Sequence, residues 1–353
     1  MTKALFKWID DRFQIQDLVE FLRHKQVPRH GKSLWYYFGG ISLFFFLIQV
    51  VSGILLLLYY KPGEDSAYEA VQFITAEVEF GWLVRSVHTW AANLMILSAF
   101  IHMFSVLFTR AFVKPRELTW ITGTLLLFVG LGFGFSGYLL PWNELAFFAT
   151  KVGTDIVGAI PFIGDSALQL LRGGEDVTGA TLSRFFAIHV AVMPAIFTLL
   201  LSVHLIMVQR QGMSEPENWK KLPEGDKRYM PFFPHFLLRD LLIWIVALNV
   251  LALLAILWPS ELGLKADPFL PAPAGIMPEW YFIFMFQTLK LIPAHVLFME
   301  GELLGIFGFG LGAIVWMLLP LWIGHKVRSS TVSLLGILVI IYIVGMTIWG
   351  FLV

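Results

Sequence analysis

The chain of 353 residues contains no cysteine. That excludes disulfides, iron–sulfur clusters and haem attached through a C-x-x-C-H pair, so any haem here is held by histidine and packing, as a b-type haem is. Charge is scarce as well. Asp, Glu, Lys and Arg make up 14% of the residues, and 25 basic side chains balance 25 acidic ones. A chain with no net charge offers no electrostatic case for nucleic acid as a partner. The first 33 residues are charged and amphipathic, without the short apolar core and small-residue cleavage site of a secretory signal. What is abundant is apolar: 58% hydrophobic residues, 33 Phe, 13 Trp and a mean hydropathy of +0.74. Soluble chains of this length carry far more charge, so a lipid bilayer is the expected surrounding.

The pattern predicts an all-α integral membrane protein. Residues 4–25 space their apolar positions helically among charges and read as an amphipathic helix on the membrane surface, within an N-terminal segment 1–33. Seven apolar runs of near-spanning length follow, at 34–59, 83–108, 118–140, 184–208, 236–258, 302–323 and 331–352. They divide into a four-helix bundle (34–208) and a three-helix half (236–353), joined by a polar, Pro- and Gly-containing link (209–235) that reads as a hinge. Eighteen of the 25 basic residues, Lys32 and Lys326 among them, fall on the side of the N-terminus, while the opposite loops are acidic. The positive-inside rule then predicts a cytoplasmic N-terminus and an outer C-terminus. Connections 141–183 and 259–301 lie on the outer (p) side and are long enough to cap a site rather than dangle.

The chemistry centres on four histidines. His88 and His102 lie 14 residues apart in the second run, and His189 and His204 lie 15 apart in the fourth. On a helix, 14 residues advance about 21 Å and return to within about 40° of the same face; 15 overshoot by roughly 60°. Runs two and four cross the membrane the same way, so His88 comes level with His189 near the p side and His102 with His204 near the inner (n) side. Two b-type haems, each with two axial imidazoles, fit between such pairs. Gly39 and Gly53, and Gly123 and Gly137, repeat the 14-residue step and would let backbone approach a flat macrocycle. Arg85 and Arg184, just before His88 and His189, are candidates for the haem propionates. Glu279, in Pro278-Glu279-Trp280-Tyr281, is a candidate proton acceptor at a hydrophobic mouth, and Asp240, beside Arg239, is its counterpart on the n side.

The paired histidines and glycines, Gly137-Tyr138-Leu139-Leu140-Pro141-Trp142 and the Pro278–Tyr281 motif occur in the order seen in one family. Over nearly its whole length the chain resembles the cytochrome b subunit of cytochrome bc complexes. Lys114-Pro115-Arg116-Glu117-Leu118-Thr119-Trp120, Arg85-Ser86-Val87-His88 and the 15-residue histidine step are similar to the cytochrome b6 branch, here fused to the three-span part that is a separate polypeptide there. The resemblance implies a quinol-oxidising, proton-translocating enzyme in a bacterial inner membrane. Quinol would bind at the p side, near Tyr138, Pro278, Glu279, Tyr281 and Phe286. One electron would pass to a Rieske iron–sulfur protein, which hands it on to a c-type cytochrome. The other would pass through the two haems to quinone near Arg239 and Asp240. A homodimer of the complex is implied too. The b6 branch also tethers an extra haem through a cysteine in the first span. Tyr37 stands at that place here, so a third haem is not expected by that route. Lys290 stands where an Arg is usual, and Gln209 where a basic residue is. Two other classes are open to a chain with this composition: a bi-haem membrane anchor without bifurcation, which would lack the Pro278–Tyr281 motif, and a haem-free transporter, which would leave four intramembrane histidines unexplained.

Overall fold

A computed structural model describes residues 2–31, 33–273, 275–297, 299–324 and 327–353. Lys32 and Lys326, counted above among the n-side charges, lie outside these residues. Six helical stretches are long and apolar enough to cross a bilayer: Ser33–Leu57, Gly81–Phe108, Glu117–Tyr138, Gly179–Gln211, Phe232–Leu257 and Ser329–Leu352. A shorter apolar helix, Gly301–Met317, supplies the remaining predicted run. The protein is therefore a multi-pass, all-α membrane protein; p and n are kept below as labels for its two ends.

Two predicted helices are broken. The surface segment is two helices, α1 (Thr2–Phe13) and α2 (Ile15–His24), because Gln14 between them turns left-handed at φ 49°. The Gln14 N–H still makes the ordinary helix bond to the Asp10 carbonyl, but the Gln16 N–H donates to the Asp10 carboxylate. The 302–323 run also divides, at Leu318, into Gly301–Met317 and a five-residue helix, Leu319–Ile323. Pro320, in the first turn of the second piece, has no N–H to continue the ladder of the first.

The first four spans are α3 (Tyr37–Leu57), α5 (Gly81–Phe108), α6 (Glu117–Tyr138) and the Gly179–Gln211 stretch; α4 (Ala67–Ala76) lies between α3 and α5. The fourth span is built of α9 (Gly179–Ala187), one π turn (Ile188–Val192) and α10 (Met193–Gln211). Pro194 cannot donate to the Val190 carbonyl and its ring presses on it. The ladder widens there, and the Met193 N–H reaches back five residues to Ile188. Small residues let α3 and α5 approach closely: Ala91 is fully buried and the Ser42 and Ser98 hydroxyls meet at 2.9 Å. Phe197 on α10 packs on Phe46 of α3 and Phe133 of α6, closing the bundle.

The C-terminal half leans on this bundle. It comprises α11 (Leu237–Leu257), α12 (Trp280–Leu291), α13 (Gly301–Met317) and α15 (Ser329–Leu352). Along α15, Gly336 abuts Leu107 and Phe108 of α5, and Gly350 abuts Ile283 of α12. The 209–235 link, which composition predicts as a hinge, is laid down on the N-terminal segment. Strand β1 (Gln26–Pro28) pairs antiparallel with β2 (Tyr229–Pro231), Lys25 bonds Gln209, and Trp219 is buried. At the p end, 141–183 folds into α7 (Glu144–Gly158) and α8 (Gly164–Arg172). Asn143 caps α7 and also bonds the Leu262 carbonyl, while the Ala266 N–H donates to the Trp142 carbonyl. The two long p-side connections are thereby stapled together over the bundle.

Candidate functional site

Each glycine of the 14-residue repeats stands against one histidine. An ideal Cβ on Gly53 would lie 3.3 Å from His88 Cε1, and one on Gly39 would lie 3.0 Å from His102 Cε1. Across the bundle, a Cβ on Gly137 would meet His189 Cε1 at 2.6 Å, and one on Gly123 would meet His204 Cε1 at 3.1 Å. The glycines of α3 thus make room for the imidazoles of α5, and those of α6 for the imidazoles of the fourth span.

The rings then face each other. His88 and His189 have ring centres 6.4 Å apart and planes 71° apart. Two imidazoles sharing one metal at about 2 Å per nitrogen hold their centres roughly 6 Å apart. His102 and His204 are likewise close enough to feel each other's charge. The π turn explains how the fourth span keeps phase. It holds one residue more than an α turn, so the 15-residue step from His189 to His204 behaves as about 14 and matches His88 to His102. The roughly 60° overshoot expected of a regular helix is thereby removed. Pro194 was the signal in the sequence for this turn.

Hydroxyls hold the far side of three rings. Ser52 Oγ lies 2.9 Å from His88 Nδ1, Ser136 Oγ 3.0 Å from His189 Nδ1 and Thr122 Oγ1 3.1 Å from His204 Nδ1. None of the three was singled out from the sequence. Nδ1 held from behind leaves Nε2 to face the gap, which is how an imidazole is presented to a metal. Facing imidazoles presented in this way fit an axially ligated haem.

The arginines lie elsewhere. Arg85 is buried and donates to the carbonyls of Ser260 and Glu261 at 2.6 and 2.7 Å, binding the 259–301 connection to α5. Arg184 is exposed, with its guanidinium over Gly173 at the end of α8.

At the p end, Glu279 precedes the first turn of α12, and its carboxylate accepts no hydrogen bond among the described residues. Burial holds its carboxyl above the usual carboxylate range. Tyr138 and Tyr281 lie within its electrostatic reach, and the Tyr281 hydroxyl sits where Gly134 of α6 has no side chain. Trp280 donates to Asn93 of α5 at 2.7 Å and anchors this start of α12, just after Pro278. Phe286 faces a different space. With Val152 and Ile156 of α7 it lines a cleft of about 460 Å³, and the Lys290 ammonium lies 4.6 Å from its ring centre. At the n end, Asp240 lies against Gly40, next to the glycine that meets His102, and its Oδ1 is buried without a partner among the described residues. Arg239 lies within electrostatic reach of Tyr37, which is stacked on Phe236 at 4.7 Å.

The family described as "Cytochrome b/b6/petB" matches residues 23–212, and "Cytochrome b(C-terminal)/b6/petD" matches residues 265–352. The chain belongs to the cytochrome b/b6 family. Both parts lie in one polypeptide, so it is of the fused type. A "Cytochrome bc complex cytochrome b subunit" from Chlorobaculum thiosulfatiphilum is 47% identical over 346 residues, covering 96% of this chain and 79% of that protein. A "Cytochrome b6" from Synechococcus sp. (strain WH7803) is 42% identical over 215 residues, 61% of this chain and 98% of that protein. A solved structure titled "Hyperthermophilic respiratory Complex III" superposes with a TM-score of 0.84 at 31% identity, covering 98% of this chain and 90% of that one. This cytochrome b is thus the core subunit of a bc-type, complex III-like quinol oxidoreductase, and b-type haem binding follows from its family.

Proposed function

We propose that this cytochrome b holds two non-covalent b-type haems, one between His88 and His189 and one between His102 and His204, and couples quinol oxidation at its p end to quinone reduction at its n end. The observation that carries the reading is the facing of His88 and His189 at a one-metal separation, with Nδ1 of each tied back to its neighbouring helix. When bound, the haems supply two one-electron carriers stacked along the membrane normal. Quinol gives up two electrons and two protons. One electron would go to a Rieske iron–sulfur partner and on to a c-type cytochrome; His88 with His189 and His102 with His204 would hold the haems that carry the other to the n end.

The chain's own groups handle the protons. Glu279 is partly buried beside Tyr138 and Tyr281 and takes a proton from the quinol hydroxyl in its ionised form, passing it outward. The stapled p-side connections keep bulk water from this step. Asp240, with its unpartnered oxygen, and Arg239 serve the quinone at the n end. The complex is a homodimer in a bacterial inner membrane, with the N-terminus cytoplasmic. A reduced-minus-oxidised spectrum of the purified complex tests the reading. Two b-type components must appear, and Glu279→Gln must slow quinol oxidation while both remain. A spectrum without a b-type α-band overturns it.

A further inference from the structure

The three hydroxyls that hold the rings share a position. Ser52, Thr122 and Ser136 each immediately precede one of the ring-facing glycines: Ser52-Gly53, Thr122-Gly123 and Ser136-Gly137. The glycine admits the ring and the residue before it reaches the ring's Nδ1. Each hydroxyl has one proton and spends it on its own helix: Ser52 on the Ile48 carbonyl at 2.7 Å, Thr122 on the Leu118 carbonyl at 2.9 Å and Ser136 on the Phe133 carbonyl at 3.3 Å. Toward the imidazole each hydroxyl can then only accept. Nδ1 must therefore carry the proton in these three rings, and Nε2 the lone pair.

The fourth site breaks the pattern. Gly39, which faces His102, is preceded by Phe38, and His102 Nδ1 is buried with no hydrogen-bond partner among the described residues. The nearby hydroxyls are engaged elsewhere: Ser42 with Phe38 and Ser98, and Ser105 with the His102 carbonyl.

We propose that Ser52, Thr122 and Ser136 are positioning residues that fix three of the four haem-ligating imidazoles as Nδ1–H tautomers, and that Phe38, by withholding a partner from His102, makes the two haem positions unequal. A partnered imidazole is the more basic ligand and favours ferric over ferrous iron. The p-end pair has two partnered rings and the n-end pair has one, so an electron is held more tightly at the n end. The hydroxyl–glycine pattern thus sets the direction of electron flow from p to n. This rests on the haem-ligation reading above and adds the residues that tune it.

Redox titration of the purified complex, followed optically and by the low-spin ferric EPR signals, is the test. Ser52→Ala shifts the midpoint of the p-end haem upward and moves its EPR signal, leaving the n-end haem alone; Ser52→Thr restores both. Thr122→Val shifts the n-end haem upward, while Phe38→Thr, which adds a hydroxyl beside Gly39, shifts it downward and narrows the gap. Phe38→Thr removes no bond, so it decides the matter where a deletion variant fails to retain haem. Midpoints and signals unchanged in Phe38→Thr and in the haem-retaining deletions overturn the proposal. Wild-type complex with fewer than two b-type haems instead overturns the ligation reading on which it rests.

Discussion

His189 and Gly137 stand closer than any side chain between them would allow: a Cβ on Gly137 would lie 2.6 Å from His189 Cε1. Helix α6 and the fourth span can meet at the p end only because this position has no side chain. Gly137→Ala therefore forces the ring or a helix to move, and Gly137→Val does so further. Both are expected to lower haem content at the p-end position while the n-end haem stays. Gly53→Ala, where the same approach is 3.3 Å, should lose less. Haem-to-protein ratio with resolved midpoints gives the order, which is Gly137→Val below Gly137→Ala below Gly53→Ala. Equal occupancy in all three would remove the glycines from the account.

Partial burial holds the Glu279 carboxyl above the ordinary carboxylate range. As proton acceptor only its ionised form works, so quinol oxidation should rise with pH through that raised value. Glu279→Gln should flatten this limb and slow turnover about 100-fold, the scale of one general base. The stability sign is opposite. Burial favours the protonated form, so the folded state is relatively most stable below the normal carboxylate range and loses that advantage as pH rises through the raised value. The pH profiles of turnover and of thermal midpoint should therefore slope in opposite directions for wild type, and both should level in the variant.

Arg172 is almost fully buried at the turn from α8 and gathers Thr154, Asp155 and the carbonyls of Lys151 and Glu175. Removing it strands those acceptors, at a cost of about 3 kcal/mol. Arg172→Met should lower the thermal midpoint and expose 159–178 to protease, without altering either haem spectrum. A spectral change in this variant would mean that the p-side cap reaches the histidines.

Sequence and fold agree wherever a pattern repeats. The four histidines and the four glycines are legible because helical period converts spacing into a shared face, and Asp240 because it stands beside Arg239 at the start of a span. Glu279, Tyr138 and Tyr281 come from separate runs but are recognisable through one motif on either side. The misses are local. Gln14 breaks the surface helix through its own backbone angle, which helical apolar spacing on both sides conceals. Pro194 and Pro320 were visible, but they sat inside apolar runs that read as continuous spans, and only the carbonyl each leaves unanswered shows how the helix adapts. Arg85 stands just before His88, but its protein partners, the Ser260 and Glu261 carbonyls, lie 175 and 176 residues away along the chain, beyond the reach of local spacing. Ser52, Thr122 and Ser136 looked like ordinary span hydroxyls until each proved to stand one residue before a ring-facing glycine.

The most direct test removes one histidine from each pair. Redox-titrated b-band spectra of the complex carrying His189→Ala, and separately His204→Ala, should each retain one b-type haem, and the two variants should retain different ones. Loss of neither haem in either variant, or loss of the same haem in both, would contradict the assignment of His88 with His189 and of His102 with His204.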